Sequence, residues 1–219
     1  MSKNSIVEEV ERLKRLMFYQ IVDTENEQLF DDITKLVSET LDVPIVLISL
    51  VTEKRQWFKS AVGLDVTETD RSYAFCEHTI RGNHVFEVVD ATKDKRFKDN
   101  PLVLGDPHIR FYAGAPLRDP EGYNLGSLCI IDRKPRTCTE NEKKLISKMS
   151  NVVMDLISMR QENIELVKLL KKKNEIISSL SHELRTPLTA IRGFNEILLN
   201  TPVSQEQKRL LKIYVRFLR

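Results

Sequence analysis

The period of the apolar positions changes twice along this chain. Near the start it is helical: a short charged helix is expected around Ile6 to Met17, and Phe30, Ile33, Leu36, Val37 and Leu41 line one face of a second over Glu27 to Leu41. It then turns to strand, with a compact β-branched stretch over Ile45 to Val51, a polar turn over Thr52 to Arg55 and a second strand over Gln56 to Val62. Phe75 to Arg81 reads as a short helix and Val85 to Val89 as a third strand. Thr92 to His108, broken by Asn100-Pro101 and Gly105-Asp106-Pro107, reads as a long irregular connection. Phe111 to Leu117 and Leu125 to Ile131 flank Asp119-Pro120-Glu121-Gly122, the pattern of a hairpin. With no regular βαβ alternation, this order predicts an α+β domain on a mainly antiparallel sheet with flanking helices.

The second change falls at Thr139, which with Glu142 makes a capping box for helix-forming sequence that runs to about Leu199 with Pro187 as its only proline. Positions 145, 149, 152, 156, 159, 163, 166, 170, 173, 177, 180 and 184 form a heptad seam, apolar at all but Asn163 and Lys173. That seam predicts a coiled coil, and Asn163 at an a position favours a parallel homodimer. About 60 helical residues at ~1.5 Å each reach on the order of 90 Å, so the helix is expected to protrude from the first domain. A further helix can start at Ser204, capped by Gln207, after a loop over Asn200 to Val203.

Composition narrows the class. Of 219 residues, 41% are hydrophobic and 30% charged, which suits a soluble globular chain. Apolar runs such as Ile45 to Ile48 fall far short of the ~20 residues that cross a bilayer. The start, Met-Ser-Lys-Asn, lacks the apolar core of a signal peptide, so a cytoplasmic location is expected. Cys76, Cys129 and Cys138 include no C-x-x-C pair and read as reduced thiols; no metal site is expected. The net charge of +2 hides an asymmetry: up to Thr139 there are nineteen Lys and Arg against twenty-three Asp and Glu, and after it fifteen against nine. The basic part has its positives on the heptad helix and lacks interleaved aromatics, so nucleic acid is not expected as a partner.

The densest polar cluster of that helix is Ser181-His182-Glu183-Leu184-Arg185-Thr186-Pro187. His182 falls at heptad position f, farthest from the seam, with Arg185 and Thr186 on its face and Glu183 beside it. Pro187 removes the donor that would bond the Glu183 carbonyl, which loosens and bends the helix beyond the histidine. A zinc reading fails for want of the second histidine of H-E-x-x-H. With Leu188-Thr189-Ala190-Ile191 the run resembles the H-box of sensor histidine kinases. The resemblance implies that 174–219 is a dimerisation and phosphoacceptor hairpin, here truncated. It also implies that His182 accepts the γ-phosphoryl of ATP for an aspartate in a response-regulator receiver domain, that Glu183 is the base, and that Thr186 positions water for the phosphatase reaction. Imidazole, with an unperturbed pKa of ~6.5, is a mainly neutral nucleophile near neutral pH, which suits this role. None of the seven glycines forms a G-x-G pair or a P-loop, so ATP and Mg²⁺ are expected to belong to the kinase family's ATP-binding domain, which these residues do not include. A non-catalytic ligand-sensing dimer or phosphotransfer adaptor is the alternative.

The first domain resembles a GAF domain through Pro44 to Val51, Arg55-Gln56-Trp57-Phe58-Lys59, Phe75-Cys76-Glu77-His78, Asp90-Ala91-Thr92, Phe97 to Pro101 and Arg110 to Leu117. The family implies an antiparallel sheet with a pocket for a small molecule. Bilin-binding members attach chromophore through a cysteine followed directly by histidine, whereas Glu77 here separates Cys76 from His78; the signature of cyclic-nucleotide members is missing. Trp57, Phe75, Cys76, His78, His108, Arg110 and Tyr112 are the pocket candidates. The expected order is an N-terminal helix over 1–19, a GAF-like sensor domain over 20–138, a coiled-coil signalling helix over 139–173 and the hairpin.

Overall fold

The computed structural model describes residues 3–199, 202 and 204–217, in the order α1 (Lys3–Phe18), α2 (Gln28–Leu41), β1 (Ile45–Val51), β2 (Arg55–Val62), β3 (Glu68–Asp70), α3 (Cys76–Thr79), β4 (Phe86–Val88), α4 (Pro101–Leu104), β5 (Phe111–Arg118), β6 (Asn124–Asp132), α5 (Glu140–Leu199) and α6 (Gln205–Phe217). The chain divides into two compact units, Met1–Glu162 and Asn163–Arg219.

In the first unit six strands form one sheet in the order β3-β2-β1-β6-β5-β4, every neighbouring pair antiparallel. Two elements escaped the sequence pattern, edge strand β3 and α4 inside the Thr92 to His108 connection, because pairing with β2 and the Asn100 cap decide them. The Asn100 side chain caps α4 by accepting from Leu102 N at 2.9 Å, with Pro101 in the first turn. The β5–β6 turn closes as its residues dictate: Asp119 Oδ1 accepts from Tyr123 N at 2.8 Å, and Gly122 takes φ 93°.

Both faces of the sheet are buried, which explains why β1 is apolar at every position but Ser49 rather than alternating. One face, with Val46, Ile48, Leu50, Phe111, Leu128 and Ile130, packs against Leu16 of α1, Phe30 and Val37 of α2, and Ile146, Val153 and Ile157 of α5. The other, with Leu47, Phe58, Tyr112 and Cys129, is covered by α3, α4 and their connections through Phe75, Ile80, Phe97 and Val103. The first unit therefore takes in α1 and the first turns of α5. This corrects the seam: Leu145, Met149 and Leu156 pack against the sheet's own core, because the face carrying Ile146, Val153 and Ile157 lies beside them on the helix. The capping box at the start of α5 forms, with Thr139 N donating to Glu142 Oε2 at 2.6 Å and Glu142 N to Thr139 Oγ1 at 3.2 Å.

A chain of charges ties α1 to the sheet. Arg12 Nη1 donates to the carbonyl of Val51 at 2.8 Å; Glu9 bonds Arg12 and Arg71, and Arg71 bonds Glu77. Burial would raise the Glu9 carboxyl, but hydrogen bonds from Arg12 and Arg71 outweigh it and hold the group down at about 2. Because the folded-state value lies below the ordinary one, the stability Glu9 contributes is present above about pH 4.5 and lost as pH falls toward 2. Glu9→Gln should therefore lower the midpoint of thermal unfolding at pH 7 and leave it nearly unchanged near pH 2. An equal loss at both pH values would show that the charge is not what matters.

Candidate functional site

The covered face of the sheet holds a cavity of about 370 Å³. Its position follows from β2, where residues alternate: Gln56 and Phe58 face the cavity, and Trp57 between them turns to the opposite core. β3 places Thr69 opposite Gln56, and α3 and β5 supply Cys76 and Tyr112. The rim residues Asp65, Val66, Glu68 and Asp106 are exposed, so the cavity opens to solvent on a mainly acidic mouth, with Arg133 the one cation lining it. Inside, the Gln56 amide oxygen and the Thr69 hydroxyl are buried without a hydrogen-bond partner among the described residues. Leaving such a buried polar atom unpaired costs about 1–3 kcal/mol.

Of the seven sequence candidates, the structure brings Phe75, Cys76 and Tyr112 to this cavity and leaves four elsewhere. Trp57 lies in the core under the helices. His78 stacks on Phe86 at 5.7 Å and meets Phe97 edge-on at 4.9 Å; burial and then Arg96 and Arg81 lower its pKa. His108 is exposed at φ 62°, and Arg110 Nη1 is spent on the carbonyls of Val103 and Ile109. Gln56 and Thr69 went unrecognised, although a polar residue one step from Trp57 was the signal that β2 presents two faces. Among the described residues no cluster of three or more His, Cys, Asp or Glu could hold a metal ion.

Gly114 makes room for Tyr112. A Cβ there would lie 2.2 Å from Tyr112 Oη and 2.8 Å from Thr79 Oγ1, two atoms that share a hydrogen bond of 2.6 Å. Gly114→Ala should thus displace the phenol and cost about 1–3 kcal/mol in denaturant unfolding. Gly82→Ala, with nothing within 4 Å of the added carbon, is the control and should be near neutral. Equal effects would refute the packing argument.

The second candidate site lies on α5 in the second unit. His182, Glu183, Arg185 and Thr186 are all exposed. The helix continues through Pro187 to Leu199. Hydroxyls serve its carbonyls there: Ser181 Oγ donates to Ile177 O at 2.8 Å, Thr186 Oγ1 to His182 O at 3.5 Å and Thr189 Oγ1 to Arg185 O at 2.8 Å. Ser179 Oγ reaches Glu183 Oε1 at 3.5 Å. α6 begins with the expected cap, Ser204 N donating to Gln207 Oε1 at 2.9 Å. Tyr214, Val215, Phe217 and Arg219 carry no described side chains.

Comparison with known proteins agrees with both halves. Residues 25–157 match the GAF domain and residues 172–216 the His Kinase A (phospho-acceptor) domain. The chain belongs to the GAF-domain family. Its second segment is similar to the phospho-acceptor domain of histidine kinases. The chain is 46% identical over 139 residues to a cyclic di-GMP phosphodiesterase of Pseudomonas aeruginosa, covering 63% of this chain and 24% of that protein. It is 40% identical over 58 residues to the aerobic respiration control sensor protein ArcB of Escherichia coli, covering 26% of this chain and 8% of that protein. It thus spans a quarter or less of either relative. The GAF domain of a phosphoenolpyruvate-protein phosphotransferase from Coxiella burnetii superposes with a TM-score of 0.55 at 14% identity over 72% of this chain and 96% of that one, which shows the fold. No helix among the described residues is long and apolar enough to cross a membrane.

Proposed function

We propose that the GAF cavity binds a small molecule and that this binding sets how readily His182 accepts a phosphoryl group from ATP and hands it to an aspartate of a response-regulator receiver domain. The observation that carries this reading is the exposed His182 on α5, the helix whose first turns complete the core of the ligand-binding unit. In this reading an imidazole nitrogen of His182 attacks the γ-phosphorus, ADP leaves, and Glu183 takes up the imidazole proton as base. Thr186, one turn away, orients the water that later removes the phosphoryl group. ATP and Mg²⁺ would be held by an ATP-binding kinase domain. The ligand would be partly apolar, to match Leu47, Phe58 and Phe75.

The homodimer of this reading is parallel and uses the exposed seam from Met159 onward: Leu166, Leu170, Ile177, Leu180 and Leu184. The test is incubation with radiolabelled ATP and a histidine-kinase ATP-binding domain, followed by addition of receiver domains. Acid-labile label on His182 that moves to a receiver aspartate is the expected result. No acid-labile label on His182, or label that never leaves the chain, would favour the non-catalytic ligand-sensing dimer.

A further inference from the structure

The reactive side chains that phosphotransfer leaves unused sit at the inner end of the cavity. Cys76, at the start of α3, lines it, and its Sγ lies 3.8 Å from Sγ of Cys129 on β6. Ser49 Oγ donates to Cys76 Sγ at 3.1 Å, and Tyr112 Oη, held by Thr79, donates at 3.3 Å. Ser49 interrupts the apolar run of β1 and also meets Ser127 of β6, 3.2 Å away. Apolar residues would fill this space without the cost of burying hydroxyls, so two donors on one sulfur call for a chemical reason. Hydrogen bonds to sulfur favour the thiolate, the reactive form. Burial would push the Cys76 thiol up, but hydrogen bonds from Cys129, Ser127, Ser49 and Tyr112 outweigh it and lower the group, while Cys129 is raised by its contact with Cys76 and by burial. Cys138 is the contrast: burial and the carboxylates of Glu87 and Glu142 push it to about 11.

We propose that Cys76 and Cys129 form an oxidisable dithiol centre that reacts with a hydroperoxide admitted through the cavity and closes into a disulfide. The Cys76 thiolate attacks one peroxide oxygen; the O–O bond breaks, the second oxygen leaves as alcohol or water with the thiol proton, and Cys76 becomes a sulfenic acid. Cys129 sulfur then attacks Cys76 sulfur, the S–O bond breaks, and water leaves with the Cys129 proton. The two thiols lose two electrons and the hydroperoxide gains them. A disulfide of ~2.05 Å requires the sulfurs to close by roughly 1.8 Å, within reach of side-chain rotation.

The experiment uses the reduced 219-residue chain, a small molar excess of hydrogen peroxide, denaturing quench with N-ethylmaleimide and peptide mass mapping. The expected result is loss of two of the three maleimide adducts, retention of the one on Cys138, and a Cys76–Cys129 cross-linked peptide that dithiothreitol reverses. Cys129→Ser should remove the cross-link and leave a dimedone-reactive sulfenic acid on Cys76. Three intact adducts after peroxide, a cross-link through Cys138, or disulfides only between chains would each overturn the proposal. The mapping arm needs no variant, so a misfolded mutant cannot obscure it.

Discussion

His182→Gln should abolish phosphoryl labelling by a supplied kinase domain while helix content and unfolding midpoint stay at the parent values. The chain has four histidines, and two others, His84 and His108, are also exposed, so exposure alone does not select the acceptor. What separates His182 is its surroundings: a carboxylate at the next position, and a guanidinium and a hydroxyl one turn along the same helix. Glu183→Ala should slow labelling by about 10²-fold if the carboxylate takes the proton, within the ordinary range for acid-base assistance. Thr186→Ala should spare labelling and retard loss of phosphate; its hydroxyl is bonded only weakly, to the His182 carbonyl at 3.5 Å, and is free to turn toward water. The measurement is acid-labile radiolabel, followed by site mapping. Label that persists in His182→Gln, or moves to His84 or His108, would return the Ser181 to Pro187 cluster to a solvated helix face.

Glutamate at both Leu166 and Leu170 should convert the proposed dimer to monomers in light scattering. These side chains are 54% and 49% exposed within one chain, and each gains about 1.5–3 kcal/mol when fully buried. A parallel partner would bury both, and the double variant would bring four carboxylates together at adjacent core layers instead. The same change at Val153 and Ile157 should act differently. Those residues are fully buried against the sheet, so charge there should unfold the first unit. A parent chain that is monomeric, or a double variant with undiminished mass, would remove the seam as the dimer contact.

Helices, the three main apolar strands and the closing hairpin were legible in the sequence because each is set by a local period of apolar residues or by turn and cap residues a few positions apart. The clustering of His182, Glu183, Arg185 and Thr186 was legible for the same reason: they lie within five consecutive residues of one helix, and helical geometry alone puts them together. β3 and α4 were not, since their pairing or capping partners decide them. The cavity was half legible. Phe75, Cys76 and Tyr112 were found by chemical type, but so were Trp57, His78, His108 and Arg110, which the fold sends elsewhere. Trp57 shows the reason: strand alternation assigns its side chain a face opposite to Gln56, and only the layers packed on each face decide which one is hollow. The sequence by itself thus determined the longer elements and the clustering of His182, Glu183, Arg185 and Thr186 on one helix. Tertiary structure alone decided that α5 spends Leu145, Met149 and Leu156 on its own sheet, that Gln56 and Thr69 face a cavity unpartnered, and that Cys76 meets Cys129. Those sulfurs are 53 residues apart in the chain, and their 3.8 Å contact exists only because α3 packs across β6, a long-range arrangement that no local pattern encodes.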